Sequence, residues 1–361
     1  MKTKTNMKKL LLLGLVALGI IATGCSKDDV PQGGNTGKET GSIRVALQSE
    51  AGTSRAVGTP TTDEERTVVD FTVYVFNYAT GAFEKKQTFT ENLTGEIGGL
   101  NVASQKRVVV LANVPAGFPA VNSYSDLSQA MVALSTQTPN FSTTGLFMSG
   151  EAASAVTLRT DDVVGVPVQV KRLVAKVRVG TLTVTPAEGL SLDNFELTGM
   201  SIQKARDKAP ALGGMPTTGF SYVGGVVLAD DHSGAVAQSY LKEAYSLAPG
   251  YVSGTPLTPN VYFYVFPNDN TDNESTLFSL HGTYNGETMY YSFYINDQVG
   301  SGENATDGNY IQRNKIYTLN ILLKKLGNGG DDPNVPSEEA SMEVTVTVAD
   351  WEGELIQDVE W

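Results

Sequence analysis

Short segments in which apolar and polar residues alternate recur along most of this 361-residue chain. In SIRVALQS (42–49), Ile43, Val45 and Leu47 fall on one face of an extended strand, and Arg44 and Gln48 fall on the other. A period of two residues is typical of a strand that buries one face. Similar segments follow at intervals of about ten residues, separated by Gly, Asn and Pro, which predicts an all-β fold built from sandwiches.

The length of the chain sets the number of these sandwiches. At about 150 residues per domain, it predicts two Greek-key β-sandwiches in tandem, of the transthyretin-like or immunoglobulin-like type, with a boundary near Thr185. Residues 163–184 predict one long alternating strand that carries Arg172, Lys176 and Arg178 on one face. A helix is predicted over 125–135, with Ser125 as its N-cap.

The N-terminal residues have the three parts of a secretory signal. Lysines at 2, 4, 8 and 9 precede an apolar run over 10–21, which is too short for a permanent membrane span of about 30 Å. Small residues then lead to Cys25, the only cysteine in the chain. This junction resembles a bacterial lipobox, which implies that Cys25 is acylated and becomes the first mature residue; a plain signal peptide is the alternative. SKDD (26–29) resembles the acidic signal that sends Bacteroidetes lipoproteins to the outer surface.

The charge of the chain argues against nucleic acid as a partner. The formal net charge is −13, and residues 56–361 carry 18 basic against 35 acidic side chains. An acidic surface repels phosphate backbones.

The C-terminal residues predict a strand extension beyond a tether. The segment 327–340 is rich in Gly, Asn, Asp and Pro, a composition typical of a flexible linker. Beyond it lie two alternating segments, whose predicted inward residues are Met342, Val344, Val346, Val348, Trp351, Leu355, Val359 and Trp361. Strands that alternate in this way need a sheet to pair with, and the linker allows that sheet to belong to another molecule. An ordinary final hairpin on its own domain is the alternative.

Residues that could carry chemistry are few. His232 and His281 have no Cys or His at ligand spacing, and no G-x-S-x-G motif is present. The loop 268–274 is rich in oxygen atoms but lacks the EF-hand spacing, so a turn is favoured over weak calcium binding. The sequence therefore predicts no enzyme, no metal and no cofactor.

A second functional class, glycan binding, rests on tyrosines. Tyrosine is abundant in the predicted second sandwich, and exposed aromatic side chains can stack on sugars. The tyrosines considered for this role are Tyr262, Tyr264, Tyr284, Tyr290, Tyr291 and Tyr294. Packing within strands is the favoured interpretation. The alternative function is a monomeric surface lipoprotein that binds glycans or host proteins.

A set of motifs in a fixed order links the chain to a known family. The motifs are the lipobox with SKDD, SRA (54–56), TVYVFN (72–77), VVVLANV (108–114), VKRLVAKVRV (170–179), RNKIYTLNI (313–321) and VTVADWEGELIQDVEW (346–361). With these motifs the chain resembles the Bacteroidales fimbrillins, the major subunits of type V pili.

The resemblance implies how the chain assembles. Fimbrillins are exported as lipoproteins anchored in the outer membrane, and an arginine-specific or trypsin-like protease then removes the lipid and the first strand together. By position, the cut falls between Arg55 and Ala56, with Arg66 as the alternative site. The groove left by the first strand then accepts the C-terminal strand of another copy or a related pilin in the surface fimbrium.

The residues fit this scheme without the family. Ile43, Val45 and Leu47 form the strand to be displaced, and Val344, Val346 and Val348 repeat its apolar pattern. Burial of each such side chain contributes about 1.5–3 kcal/mol. The predicted segments are therefore a signal (1–24), a lipidated propeptide (25–55), two sandwiches (56–185 and 186–326) and a linker with donor strands (327–361). A shaft subunit is favoured over an anchor or a tip, because the chain carries candidates for both a removable strand and a donor.

Overall fold

A computed structural model describes residues 39–49, 63–90, 92–138, 144–228, 235–269, 274–296, 310–337 and 341–351. Cys25, the cleavage site Arg55–Ala56 and the second terminal segment with Leu355, Val359 and Trp361 lie outside these residues.

The first half of the chain forms a seven-stranded sheet with the strand order β3-β2-β5-β7-β8-β1-β4. A short β6 pairs instead with β12 of the second half. The strands are β1 (Thr40–Ser49), β2 (Phe71–Asn77), β3 (Phe83–Phe89), β4 (Thr94–Asn101), β5 (Lys106–Ala112), β6 (Met131–Ala133), β7 (Met148–Glu151), β8 (Val163–Arg172) and β12 (Lys208–Pro210).

The second half forms two four-stranded sheets, with the orders β15-β9-β18-β19 and β14-β10-β16-β17, and a short β11-β13 pair. Its other strands are β9 (Ala175–Val184), β10 (Phe195–Gln203), β11 (Ala205–Arg206), β13 (Tyr222–Val223), β14 (Lys242–Ala244), β15 (Tyr262–Val265), β16 (Leu277–Tyr284), β17 (Glu287–Tyr294), β18 (Lys315–Leu323) and β19 (Met342–Asp350). The predicted all-β sandwich class is confirmed.

Two hydrophobic clusters hold these sheets together. The first core lies inside the seven-stranded sheet, whose edge strands approach each other where Lys85 Nζ donates to the carbonyl oxygen of Gly98. The second core lies between the sheets of the second half. β2 and β5 serve both cores, because alternate residues point to opposite faces: Val73 and Val75 enter the first core, whereas Tyr74 and Phe76 enter the second.

The predicted helix is shorter than expected and begins at a different cap. Helix α1 spans Tyr124–Gln129, and Ser123, not Ser125, is the N-cap whose side chain accepts from the Asp126 N–H. The chain then turns into β6, where tertiary pairing with β12 overrides the helical spacing. No helix in the described ranges is long and apolar enough to cross a membrane.

The predicted single strand over 163–184 is two strands in two sheets. β8 ends at Arg172 in the first sheet, and β9 begins at Ala175 in the second half. Leu173 and Val174 between them are fully buried, so the chain crosses between sheets through the interior. Both strands alternate, and the sequence therefore shows no break where the chain changes sheets.

One-turn 3-10 helices connect several strands. Leu134–Thr136 lies between β6 and β7, and Leu192–Asn194 and Ser239–Leu241 lie in the second half. A fourth, Asp63–Arg66, precedes β2.

The β16–β17 hairpin turns through Asn285 and Gly286, whose φ angles of 54° and 85° match the Asn-Gly preference of two-residue hairpins.

His281 on β16 is a buried polar residue within the second sandwich. Its Nε2 lies 2.7 Å from Ser201 Oγ on β10, and both side chains are buried. Burial, with a smaller contribution from the charge of Lys242, lowers the pKa of His281 to about 4. The ring therefore stays neutral in the folded chain at pH values where a free histidine is charged.

We expect the stability of β1 within its sheet to depend on its inward face. Ile43→Ala should lower the free energy of unfolding by about 2–5 kcal/mol, because it leaves a cavity in the first core. Arg44→Ala is the matched control: it removes an exposed ion pair to Glu96 and should cost less than about 1 kcal/mol. Denaturant unfolding measures both, and equal losses would contradict the buried position of Ile43.

We expect His281 to make stability fall in mild acid. As pH falls from about 6.5 to about 4, the unfolded chain binds a proton that the folded chain excludes, which costs up to about 3 kcal/mol. His281→Gln keeps a hydrogen-bonding group near Ser201 but does not titrate. Its unfolding free energy should lose less over this pH range than that of the wild type, and parallel pH profiles would refute this account.

Candidate strand-exchange site

β1 occupies an interior position in the first sheet. It runs parallel to β8 from Ser42 opposite Val163 to Ser49 opposite Val170, and antiparallel to β4 on its other side. In the strand order β8-β1-β4, β1 is the strand that connects β4 to β8. Departure of β1 would therefore expose a row of backbone groups on both β4 and β8.

The inward face of β1 is the face that the alternation predicts. Ile43, Val45 and Leu47 are buried in the first core, whereas Arg44 and Gln48 are exposed. Val166 and Val168 of β8 and Ile97 of β4 belong to the same core. These apolar side chains line the groove that β1 fills.

β19 lies at the edge of its sheet and pairs along its whole length with β18, from Met342 opposite Leu323 to Asp350 opposite Lys315. Met342 and Val346 are buried, and Val344 and Val348 pack partly against the second core. The alternating strand is thus confirmed, and in the single chain it pairs with its own domain. β1 and β19 lie in different sheets, so the structure does not bring the two matching patterns together.

The segment before β19 is not a free tether in its described part, 327–337. Tyr290 and Gly330 exchange backbone hydrogen bonds of 2.8 Å, and Ser337 N donates to the Ser292 carbonyl at 2.8 Å. Ser292 Oγ also donates to the Pro333 carbonyl. The prediction from composition was wrong here because the edge strand β17 offers backbone groups to which a polar segment can bind without apolar side chains.

A buried charged cluster lies where Arg172 of β8 and Lys176 of β9 meet the residue that follows β19, and the sequence analysis assigned it no role. Glu65, in the 3-10 turn Asp63–Arg66, is 1% exposed. Its Oε1 accepts from Lys176 Nζ at 2.6 Å and from the Tyr264 hydroxyl at 2.5 Å. Arg172 Nε donates to the Glu65 carbonyl at 3.0 Å. The shared face of Arg172 and Lys176 was the only sequence signal, because Glu65 follows a polar stretch without periodicity.

Burial shifts the ionisation of this cluster. Desolvation lowers the pKa of Arg172 to about 10, although the charge of Glu65 partly opposes this. Desolvation is also the largest cause that raises the pKa of Tyr264, followed by the charge of Glu65. Tyr264 therefore keeps its proton and donates a hydrogen bond to the Glu65 carboxylate, which is balanced by two cations.

The candidate chemical groups are engaged in packing or in ion pairs. Ser201 and His281 are both buried, so neither faces a substrate. In the loop predicted as a turn, Asp269 pairs with Arg206 and Glu274 pairs with Lys204, each at 2.7 Å. Within the described ranges, no group of three or more His, Cys, Asp or Glu could hold a metal ion. His232 lies outside the described residues.

The six tyrosines do not form an exposed aromatic surface. Tyr262 is 42% exposed, with Lys176 Nζ 4.5 Å from its ring centroid. Tyr264 and Tyr291 are buried, and the other three are half-buried. Packing accounts for most of them, as the strand pattern predicts.

Comparisons with known proteins agree with the motifs. The family model for "Major fimbrial subunit protein (FimA)" matches residues 40–191, and the model for "Major fimbrial subunit protein type IV, Fimbrillin, C-terminal" matches residues 282–355. Among curated protein sequences, none matches the chain.

Solved structures share the fold. A candidate cell adhesion protein of Bacteroides eggerthii is 23% identical, with a TM-score of 0.65 over 88% of this chain and 98% of its own. A fimbrilin of Porphyromonas gingivalis W83 is 19% identical, with a TM-score of 0.61 over 86% of this chain and 97% of its own. The chain belongs to the fimbrillin family of major fimbrial subunits, whose members assemble with one another in cell-surface fimbriae.

Proposed function

We propose that this chain is a shaft subunit of a surface fimbria that supports adhesion, aggregation or biofilm formation, and that it has no enzymatic activity. It is exported as a lipoprotein, acylated at Cys25 and held at the outer membrane. A protease cuts after Arg55, the segment that contains β1 leaves, and the groove accepts β19 of another subunit. Copies of the chain thus join by donor-strand exchange.

The observation that carries this proposal is the position of β1. A strand upstream of the proposed cut lies inside the first sheet, between β8 and the edge strand β4. Its loss leaves an apolar groove and two open edges, a combination that recruits a strand from another molecule.

β19 has the properties that a replacement strand needs. It lies at a sheet edge, so only its pairing with β18 and its partial burial hold it in place. Its apolar residues recur at the two-residue spacing of Ile43, Val45 and Leu47, while Glu343, Thr345 and Thr347 are exposed. A strand with this pattern can fill the groove and face solvent with its other side.

The structure around Arg66 favours Arg55 as the cleavage site. Arg66 follows the buried Glu65 directly within the 3-10 turn and lies five residues before β2. A protease needs an extended substrate, so a cut at Arg66 would require this turn to unfold and Glu65 to leave its buried partners.

We expect cleavage after Arg55 to trigger assembly. In a full-length chain that carries Cys25→Ala to prevent acylation, brief low-dose trypsin should give a product that begins at Ala56 and forms a ladder on a non-denaturing gel. Arg55→Gln should abolish both, and Arg66→Gln should leave both intact. A ladder-forming product that begins at Thr67 would move the cleavage site to Arg66.

We expect the inward face of β19 to decide whether cut subunits join. Val346→Asp places a carboxylate on the face that must enter an apolar groove, so the cut chain should remain monomeric. Thr345→Asp, on the exposed face, should still form the ladder. Because Val346 is also buried in the single chain, thermal unfolding must show that both variants fold.

A chain that ends at residue 341 gives an independent test, because it lacks β19 altogether. After cleavage this chain should not fill the groove of another subunit, so it should form no ladder. Ladders from this truncated chain, or from Val346→Asp, would rule out β19 as the donor.

A further inference from the structure

The Glu65 cluster extends to the end of β19. Arg172, which donates to the Glu65 carbonyl, also donates through Nη1 to the Trp351 carbonyl at 3.1 Å. Tyr264, which donates to the Glu65 carboxylate, stacks on the Trp351 ring with centroids 5.7 Å apart and an interplanar angle of 14°. Two side chains thus each contact both Glu65 and Trp351.

Trp351 anchors the C-terminal end of β19 to the subunit. It follows Asp350 directly and is 1% exposed. Its backbone N–H donates to the Asn314 carbonyl at 3.0 Å, and the Arg172 guanidinium lies 4.8 Å from its ring centroid. β19 cannot leave β18 unless Trp351 leaves this pocket, because the two are consecutive in the chain.

Glu65 provides the negative charge that keeps Arg172 and Lys176 in place. Lys176 Nζ and Arg172 are buried beside it, and removal of one partner from a buried charged group leaves the others uncompensated. Loss of Glu65 would therefore disturb Arg172 and Tyr264, and through them the contacts of Trp351.

We propose that Glu65, Arg172, Lys176, Tyr264 and Trp351 form a latch that keeps β19 on its own subunit, and that cleavage upstream of Glu65 loosens it. This inference rests on the proposed function, because the latch would control when the donor strand is released.

The link to cleavage follows from the path of the chain. In the uncut chain, Glu65 is tethered on both sides, since β1 ends at Ser49 and β2 begins at Phe71. A cut after Arg55 places the 3-10 turn seven residues from a new N-terminus, and terminal segments fray more readily than tethered ones. A frayed turn withdraws Glu65 from Arg172, Lys176 and Tyr264. A subunit would then keep its donor strand until its own groove is opened.

Backbone hydrogen exchange of β19 in the uncut full-length chain with Cys25→Ala tests the latch. Glu65→Gln should raise the exchange rate of β19 amides by about tenfold or more. Asp350→Asn is the matched control: it removes the ion pair with Lys315 at the end of the same strand and should leave the rates unchanged. Amides of β5 in the other sheet should stay protected in both variants and show that the fold is intact.

Tyr264→Phe covers the case in which Glu65→Gln unfolds the whole chain. It removes one hydrogen bond to Glu65 but keeps the ring on Trp351, so β19 exchange should rise by a smaller factor while β5 stays protected. Wild-type exchange rates for β19 in a folded Glu65→Gln chain, or in Tyr264→Phe if the first variant unfolds, would overturn the latch.

The cut wild-type chain separates this inference from the proposed function. If it forms ladders while Glu65→Gln leaves β19 protected, assembly stands and the latch falls. If it forms no ladders, the proposed function fails whatever the exchange of β19 shows.

Discussion

The insertion of β1 between β4 and β8 is the constraint on which the first sandwich depends. Backbone N–H and C=O groups inside a sheet need partners, and β1 supplies them to both neighbours while it buries Ile43, Val45 and Leu47. Because the strand comes from the extreme end of the described chain, its contribution is separable from the rest of the fold. The same residues that complete the single subunit therefore define the groove that opens without them.

A second constraint is the buried charge of Glu65. A carboxylate inside a protein is tolerated only with charged or hydrogen-bonding partners, and here these come from β8, β9 and β15. This requirement ties a four-residue turn to the junction of the two halves and to Trp351 after β19. One small polar cluster thus links the segment that leads into β2 to the end of β19.

Much of this organisation could be predicted, and the errors have physical causes. The period of two identified β1 and β19, because burial of one face is a local demand on alternate residues. The composition of 327–340 suggested a tether, but the edge of β17 binds the backbone of its described part. The division of 163–184 was hidden, because both strands alternate and the buried Leu173 and Val174 join them without a polar turn. The pairing of β6 with β12 ended a segment that has helical spacing.

The sequence by itself determined the all-β class, the faces of the strands and the matching patterns of β1 and β19, since each depends on residues close together in the chain. Only the tertiary structure decided that β1 lies inside a sheet, that β19 lies at an edge and that Glu65 contacts Lys176 and Tyr264. The Glu65 contacts join residues more than a hundred positions apart in the chain. Their formation depends on how whole sheets pack against each other, which no local sequence pattern predicts.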